Sequence, residues 1–176
     1  VDFPARFQLF AAMNPCPCGY FGSKLRACNC ASPKIQQYIA RVSGPLLDRI
    51  DIQIQVNNPT TTILDDDDEQ GLDVTAMQTQ VACCRQLQQQ RQGKLNMQLS
   101  SVDILALKPL KENAQASLKY AIKQWGLSMR AQERILRLAL TISDLSEAKD
   151  INQEAIAEAL SYRAYEKLQK QLDAWL

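Results

Sequence analysis

The chain has 176 residues, and its 20 Lys and Arg against 19 Asp and Glu give a formal net charge of +1. Its length and a hydrophobic share of 46% allow roughly two-thirds of the unfolded surface to be buried. They exclude collagen-like, disordered and coiled-coil classes, and no run approaches the roughly 18 apolar residues that a spanning helix needs. The absence of His removes His triads, His general bases and His metal ligands together. Near-neutral charge argues against a wholly basic nucleic-acid coat, while leaving room for a local patch.

The chain opens on Val1, and its first residues read like the middle of something longer, so a fragment is expected. Residues 7–13, Phe-Gln-Leu-Phe-Ala-Ala-Met, form an apolar run ended by Asn14 and Pro15. That pattern predicts a strand buried on both faces. Ser32 and Pro33 signal a helix start, and Ile35, Tyr38, Ile39 and Val42 supply one apolar face before Ser43-Gly44-Pro45 stops it. Residues 50–56 alternate strictly and predict an edge strand.

From residue 57 to about 73 the pattern dissolves into Asn-Pro, three Thr and an acidic run, which reads as a linker. Helical periodicity then takes over. Residues 74–92 place Val74, Met77, Val81, Cys84 and Leu87 on one face, opposite a Gln-rich one. Further helices are expected over 112–125, from Ser128 to about 147, and from near Asp150, with Gln153 as its capping partner, toward Leu176. The expected division is therefore 1–57, a linker 58–73, and a helical unit 74–176.

Six Cys are too few for a disulfide scaffold, and four of them crowd into fifteen residues: Cys16, Cys18, Cys28 and Cys30. Four thiolates close a tetrahedral zinc site with no open position, a structural rather than a catalytic arrangement. Lys24 and Arg26 lie in the intervening loop, where they would offset the site's charge of about −2. Gly19 and Gly22 would let the backbone fold round the metal. The CxC spacing is tighter than usual, and four unligated thiols in a surface loop is the alternative. Cys84 reads as core, with Cys83 flanking it.

Arg49, within Leu-Leu-Asp-Arg-Ile-Asp, sits where a short helical turn meets the alternating strand, a place from which a guanidinium can reach a phosphate. A surface pair with Asp48 or Asp51 is the alternative. Arg130, Arg134 and Arg137 share one helix face, either a solvated basic surface or a stripe facing a nucleotide or a neighbour.

Four stretches follow one another in order: Phe-Gln-Leu-Phe-Ala-Ala-Met-Asn-Pro-Cys-Pro-Cys-Gly, Ser-Gly-Pro-Leu-Leu-Asp-Arg-Ile-Asp, Leu-Ser-Met-Arg-Ala-Gln-Glu-Arg-Ile-Leu-Arg-Leu-Ala, and Ala-Leu-Ser-Tyr-Arg. Together they resemble the C-terminal half of the magnesium-chelatase-like AAA+ ATPases, in the YifB/ComM branch. The resemblance covers nearly the whole chain and is weakest over 57–73 and after Arg163.

It implies a mostly α fold: the C-terminal remnant of an α/β AAA+ core, with two strands and a Cys-rich loop, followed by an all-helical lid. It implies Asn14 as the sensor-1 residue orienting the attacking water, Arg49 as an arginine finger acting on the adjacent subunit, and Arg130 as sensor 2. The parent would use ATP and Mg²⁺, assemble into a ring, act on DNA as a competence or recombination helicase, and work in the cytoplasm without contacting a membrane.

The chain holds no G-x-x-x-x-G-K-[ST] and no upstream acidic metal-holding motif. The resemblance places both before Val1, so the fragment alone is expected neither to bind ATP tightly nor to hydrolyse it. Two other readings stand beside the helicase: a motor subunit of a magnesium chelatase, and a non-enzymatic zinc and helix module binding nucleic acid or protein.

Overall fold

Short polar side chains just ahead of apolar-periodic runs decide where most of the helices begin. The computed structural model describes residues 7–23, 25–56 and 73–163, and these form seven α-helices and one 3-10 turn. The expected linker, apart from Asp73, lies outside the described residues, as do the tail beyond Arg163 and Lys24.

Helix α1 spans Ser32–Ile39, with Pro33 in its first turn, and α2 is the single turn Gly44–Leu47. Helix α3, Val74–Gln92, starts where the Asp73 carboxylate accepts the N–H groups of Thr75 and Ala76 at 2.9 and 3.0 Å. It ends at Gly93, whose φ of +69° suits a residue without Cβ. A 3-10 turn, Asn96–Gln98, and helix α4, Ser101–Leu107, follow. The α4 start is a reciprocal Ser100–Asp103 capping box that the periodicity did not reveal.

Helix α5 spans Glu112–Trp125, α6 spans Met129–Leu145 under the Ser128 cap, and α7 spans Gln153–Ser161. The α7 cap is Asn152, which accepts from the Ala155 N–H, rather than the expected Asp150.

The core lies among α4, α5, α6 and α7, where Leu118, Ile135, Leu140, Ile151 and Ile156 are buried. Ala114, Ala121, Ala131, Ala139, Ala155 and Ala159 are buried with them. Small side chains at these facing positions let the helices approach closely, and the larger ones fill the remaining volume.

Helix α3 joins this unit through polar contacts. Of its expected apolar face only Cys84 is buried; Val74, Met77, Val81 and Leu87 are exposed, and Gln88 is buried instead. Gln88 accepts the Asn96 N–H at 3.1 Å and donates to the Cys84 Sγ. One turn on, Arg91 makes a two-pronged contact with Asp144 at 2.6 and 3.0 Å. Asp144 also receives the Asn96 amide at 2.8 Å and the Lys108 ammonium at 3.0 Å. One buried carboxylate thus ties α3, the 3-10 turn and the end of α4 to α6.

Burial alone would raise the Asp144 pKa, but the hydrogen bonds from Arg91, Asn96 and Lys108 outweigh it and hold the carboxyl below its ordinary value. A carboxyl with a depressed folded pKa contributes stability that is fully present above about pH 4 and is lost as pH falls through the folded value. Melting temperature should therefore fall below pH 4. Asp144→Asn, followed by circular dichroism at pH 3 and pH 6, should flatten that dependence; an unchanged profile would remove Asp144 from the account.

Neither expected strand forms among the described residues. Residues 7–13 are irregular, with Phe7, Leu9, Phe10 and Met13 exposed. Residues 50–56 make a single parallel bridge, Gln53 to Arg163. A strand is stable only when neighbours complete its ladder and cover its faces. Among the described residues neither segment finds such neighbours. The mostly helical architecture agrees with expectation, and no helix among the described residues is long and apolar enough to cross a membrane.

Candidate functional site

Two short loops carry the cysteines, and both begin with a CxC step. Gly19 and Gly22, at φ of +81° and +79°, turn the first loop back on itself. This brings the Sγ atoms of Cys16, Cys18, Cys28 and Cys30 within 4.8 Å of one another. Cys16 is fully buried beneath Ile35 and Ile39 of α1, and the other three are half-buried.

The Cys16, Cys18 and Cys28 sulfurs lie 3.3 to 3.6 Å from one another, close to the edge of a tetrahedron built on metal–sulfur bonds of about 2.3 Å. The Phe21 N–H points at the Cys16 Sγ at 3.3 Å, and the Cys30 N–H at the Cys28 Sγ at 3.5 Å. The Tyr20 backbone amide, then the Cys16 thiol, lower the Cys18 pKa to about 6. Burial pushes Cys28 up to about 12 and raises Cys30 as well. Burial disfavours the thiolate at Cys28 and Cys30, and the four sulfurs are close enough together to bind one metal ion. Arg26 lies over the Tyr20 ring, 4.5 Å from its centroid, and donates to its hydroxyl.

The arginines divide into those used by the fold and those left outside it. The Asp48 carboxylate accepts from the Ser128 hydroxyl at 3.0 Å and from Arg163 at 3.2 Å. Asp51 pairs with Arg134. Arg137 donates to the Leu99 carbonyl at 2.7 Å and pairs with Glu133. Arg49 pairs with neither neighbouring carboxylate: it is exposed and donates to the Pro45 carbonyl at 2.6 Å. Arg130, in the first turn of α6, is exposed, and its side chain makes no hydrogen bond or ion pair among the described residues.

The Ser128–Asp48 bond places the Arg49 corner against the start of the Arg130 helix. Asn14 lies on the cysteine loop, exposed, with its side chain beside Gly19.

Sequence reasoning assigned no role to Arg163. It is 2% exposed, donates to Asp48, and closes the end of α7 onto the Arg49 corner, where the Gln53 N–H donates to the Tyr162 carbonyl at 2.8 Å. Its signal was the Ser-Tyr-Arg end of an apolar helix, which ends in a cation where a solvent-facing residue would otherwise be expected.

Residues 1–64 match the family model for magnesium chelatase, subunit ChlI, and residues 71–163 match its ChlI C-terminal companion. The chain is 39% identical over 173 residues to competence protein ComM of Haemophilus influenzae, covering 98% of this chain and 33% of that protein. It is 36% identical over 169 residues to the uncharacterized protein YifB of Escherichia coli, and equally to that of Salmonella typhimurium, covering 96% of this chain and 33% of each. The chain thus spans about a third of the length of these curated relatives. With the cysteine loops and the Arg49 corner inside the first match and the Arg130 helix inside the second, the chain belongs to the magnesium-chelatase-like family, in the branch of ComM and YifB.

Proposed function

We propose that this chain is the finger and lid portion of an ATP-driven ring motor acting on DNA. The observation that carries the reading is the division of the arginines. Asp48 and Asp51 are occupied by Ser128, Arg163 and Arg134, so Arg49 and Arg130 stay exposed instead of joining surface pairs. Arg49 serves as the finger for the nucleotide of a neighbouring subunit, where a planar, permanently charged group meets charge developing on the γ-phosphate. Arg130 closes the lid over the nucleotide of its own subunit, and Asn14 orients the attacking water. Asp48 positions Arg49 by anchoring its corner to Ser128 on the lid. The phosphate-cradling loop and the residues that hold Mg²⁺ belong to other parts of the parent.

Mixed rings test this arrangement. Parent subunits carrying Arg49→Ala, combined with subunits lacking the phosphate-loop lysine, should recover part of the DNA-stimulated ATPase activity. Some interfaces then pair an intact finger with an intact loop. No rescue at any mixing ratio means that Arg49 does not act across subunits.

The four-thiol cluster is a structural zinc site held by Cys16, Cys18, Cys28 and Cys30. Its ligands are all sulfur and leave no open position for chemistry, so the metal would fasten the two loops to α1. Protein purified without chelator should contain about one zinc per chain by elemental analysis. Cys16→Ser with Cys28→Ser should abolish it. A metal-free wild type with four accessible thiols and undiminished stability would contradict the assignment.

A further inference from the structure

Residues 3–47 contain five cations (Arg6, Lys24, Arg26, Lys34 and Arg41) and not one Asp or Glu. That excess surpasses the +1 of the whole chain, so the remaining residues are net acidic; the described cations of the segment, Arg26, Lys34 and Arg41, are all exposed. Even a tetrathiolate metal of charge about −2 leaves the segment positive.

Helix α1 turns Ile35 and Ile39 inward against Cys16. On its other side Pro17, Lys34, Gln37, Tyr38 and Arg41 line a depression of about 330 Å³. Lys34 and Arg41 are exposed, with no ion pair or side-chain hydrogen bond among the described residues. Lys34 lies in the first turn of α1 and Arg41 just past its end, with the half-buried Tyr38 between them in sequence.

We propose that this depression binds a single nucleic-acid strand, with backbone phosphates on Lys34 and Arg41 and one base against Tyr38. Charge complementarity selects the occupant: two unneutralised cations flanking an aromatic side chain form the pairing that tracks an unpaired strand, whose bases have free faces to stack. A duplex keeps its base faces stacked, and an acidic peptide gains nothing from the tyrosine. Pro17, between two of the thiols, forms one wall, so the cysteine loops help shape the site. The proposal rests on the DNA part of the reading above and names the surface that would serve it.

Fluorescence anisotropy with labelled dT20 and the 176-residue chain, titrated with salt, tests the site. Lys34→Gln with Arg41→Gln should weaken binding about tenfold or more at low salt. It should also reduce the slope of log K against log salt by about 1.4, since each phosphate contact on a single strand contributes about 0.7. Tyr38→Leu should weaken binding with the slope unchanged. Arg85→Gln with Lys119→Gln, exposed cations on α3 and α5, should do neither. An unchanged slope in the first variant, or an equal loss in the last, overturns the site. So does duplex bound as tightly as dT20, or polyglutamate displacing it. If this site fails while DNA still stimulates the parent's ATPase, the motor reading survives. If DNA leaves that ATPase unchanged while the first variant loses dT20 as expected, the motor reading falls and the site stands.

Discussion

Arg49→Ala in the full-length parent is expected to leave the apparent affinity for ATP nearly unchanged and to lower kcat by something on the order of 10³-fold. A finger touches the γ-phosphate of a neighbour most strongly in the transition state, so its loss appears in turnover rather than in ground-state binding. Arg49→Lys should not restore the rate, because a single ammonium cannot reproduce the planar, two-pronged donor face of guanidinium. Arg130→Ala should behave differently, raising KM and lowering kcat together, since a lid residue acts both on the bound nucleotide and on closure. Steady-state ATPase assays with and without DNA separate the two patterns. Normal turnover in the Arg49→Ala parent would reduce this residue to an exposed arginine held by the Pro45 carbonyl.

Asp144→Ala is expected to cost the helical unit about 3–5 kcal/mol, the range for removing one member of a buried ion pair. The Asp144 side chain is wholly buried, and its loss strands two cations, Arg91 and Lys108, whose side chains are only 20% and 12% exposed. Asn96 would lose its carboxylate acceptor in the same step. In a unit of about a hundred residues, each kcal/mol shifts the melting temperature by about 4–8 °C, so a drop of about 12 °C or more should appear in a thermal melt. Asp144→Asn keeps the shape and removes the charge, and it should cost less. A loss under about 1 kcal/mol for the alanine variant would mean that α3 is held by something other than this network.

The carboxylates that matter most were the hardest to recognise from residue order. Asp144 follows an apolar helix face and looks like a solvent-facing turn residue; its role emerges only when Arg91, 53 positions earlier, folds against it. The exposed face of α3 erred in the opposite direction. Val74, Met77, Val81 and Leu87 have the spacing of a core stripe, yet α3 packs through its polar C-terminal half, and the stripe stays uncovered among the described residues. Periodicity reports which residues share a face, not whether another element covers it.

What the sequence by itself determined was local: the limits of α3 and α5, the start of α6, and the crowding of four thiols. Each depends on contacts within a turn or on spacing along one loop. Asp73 caps the first turn of α3, Gly93 and Gly126 end α3 and α5 with positive φ, and Ser128 caps α6. Only the tertiary structure decided which arginines are spent and which stay exposed. The partners of Asp48 and Asp51 stand 80 to 115 residues away, at Ser128, Arg134 and Arg163. An ion pair forms wherever folding brings opposite charges together, so the nearer Arg49 lost both carboxylates to residues that only the packed helices could deliver.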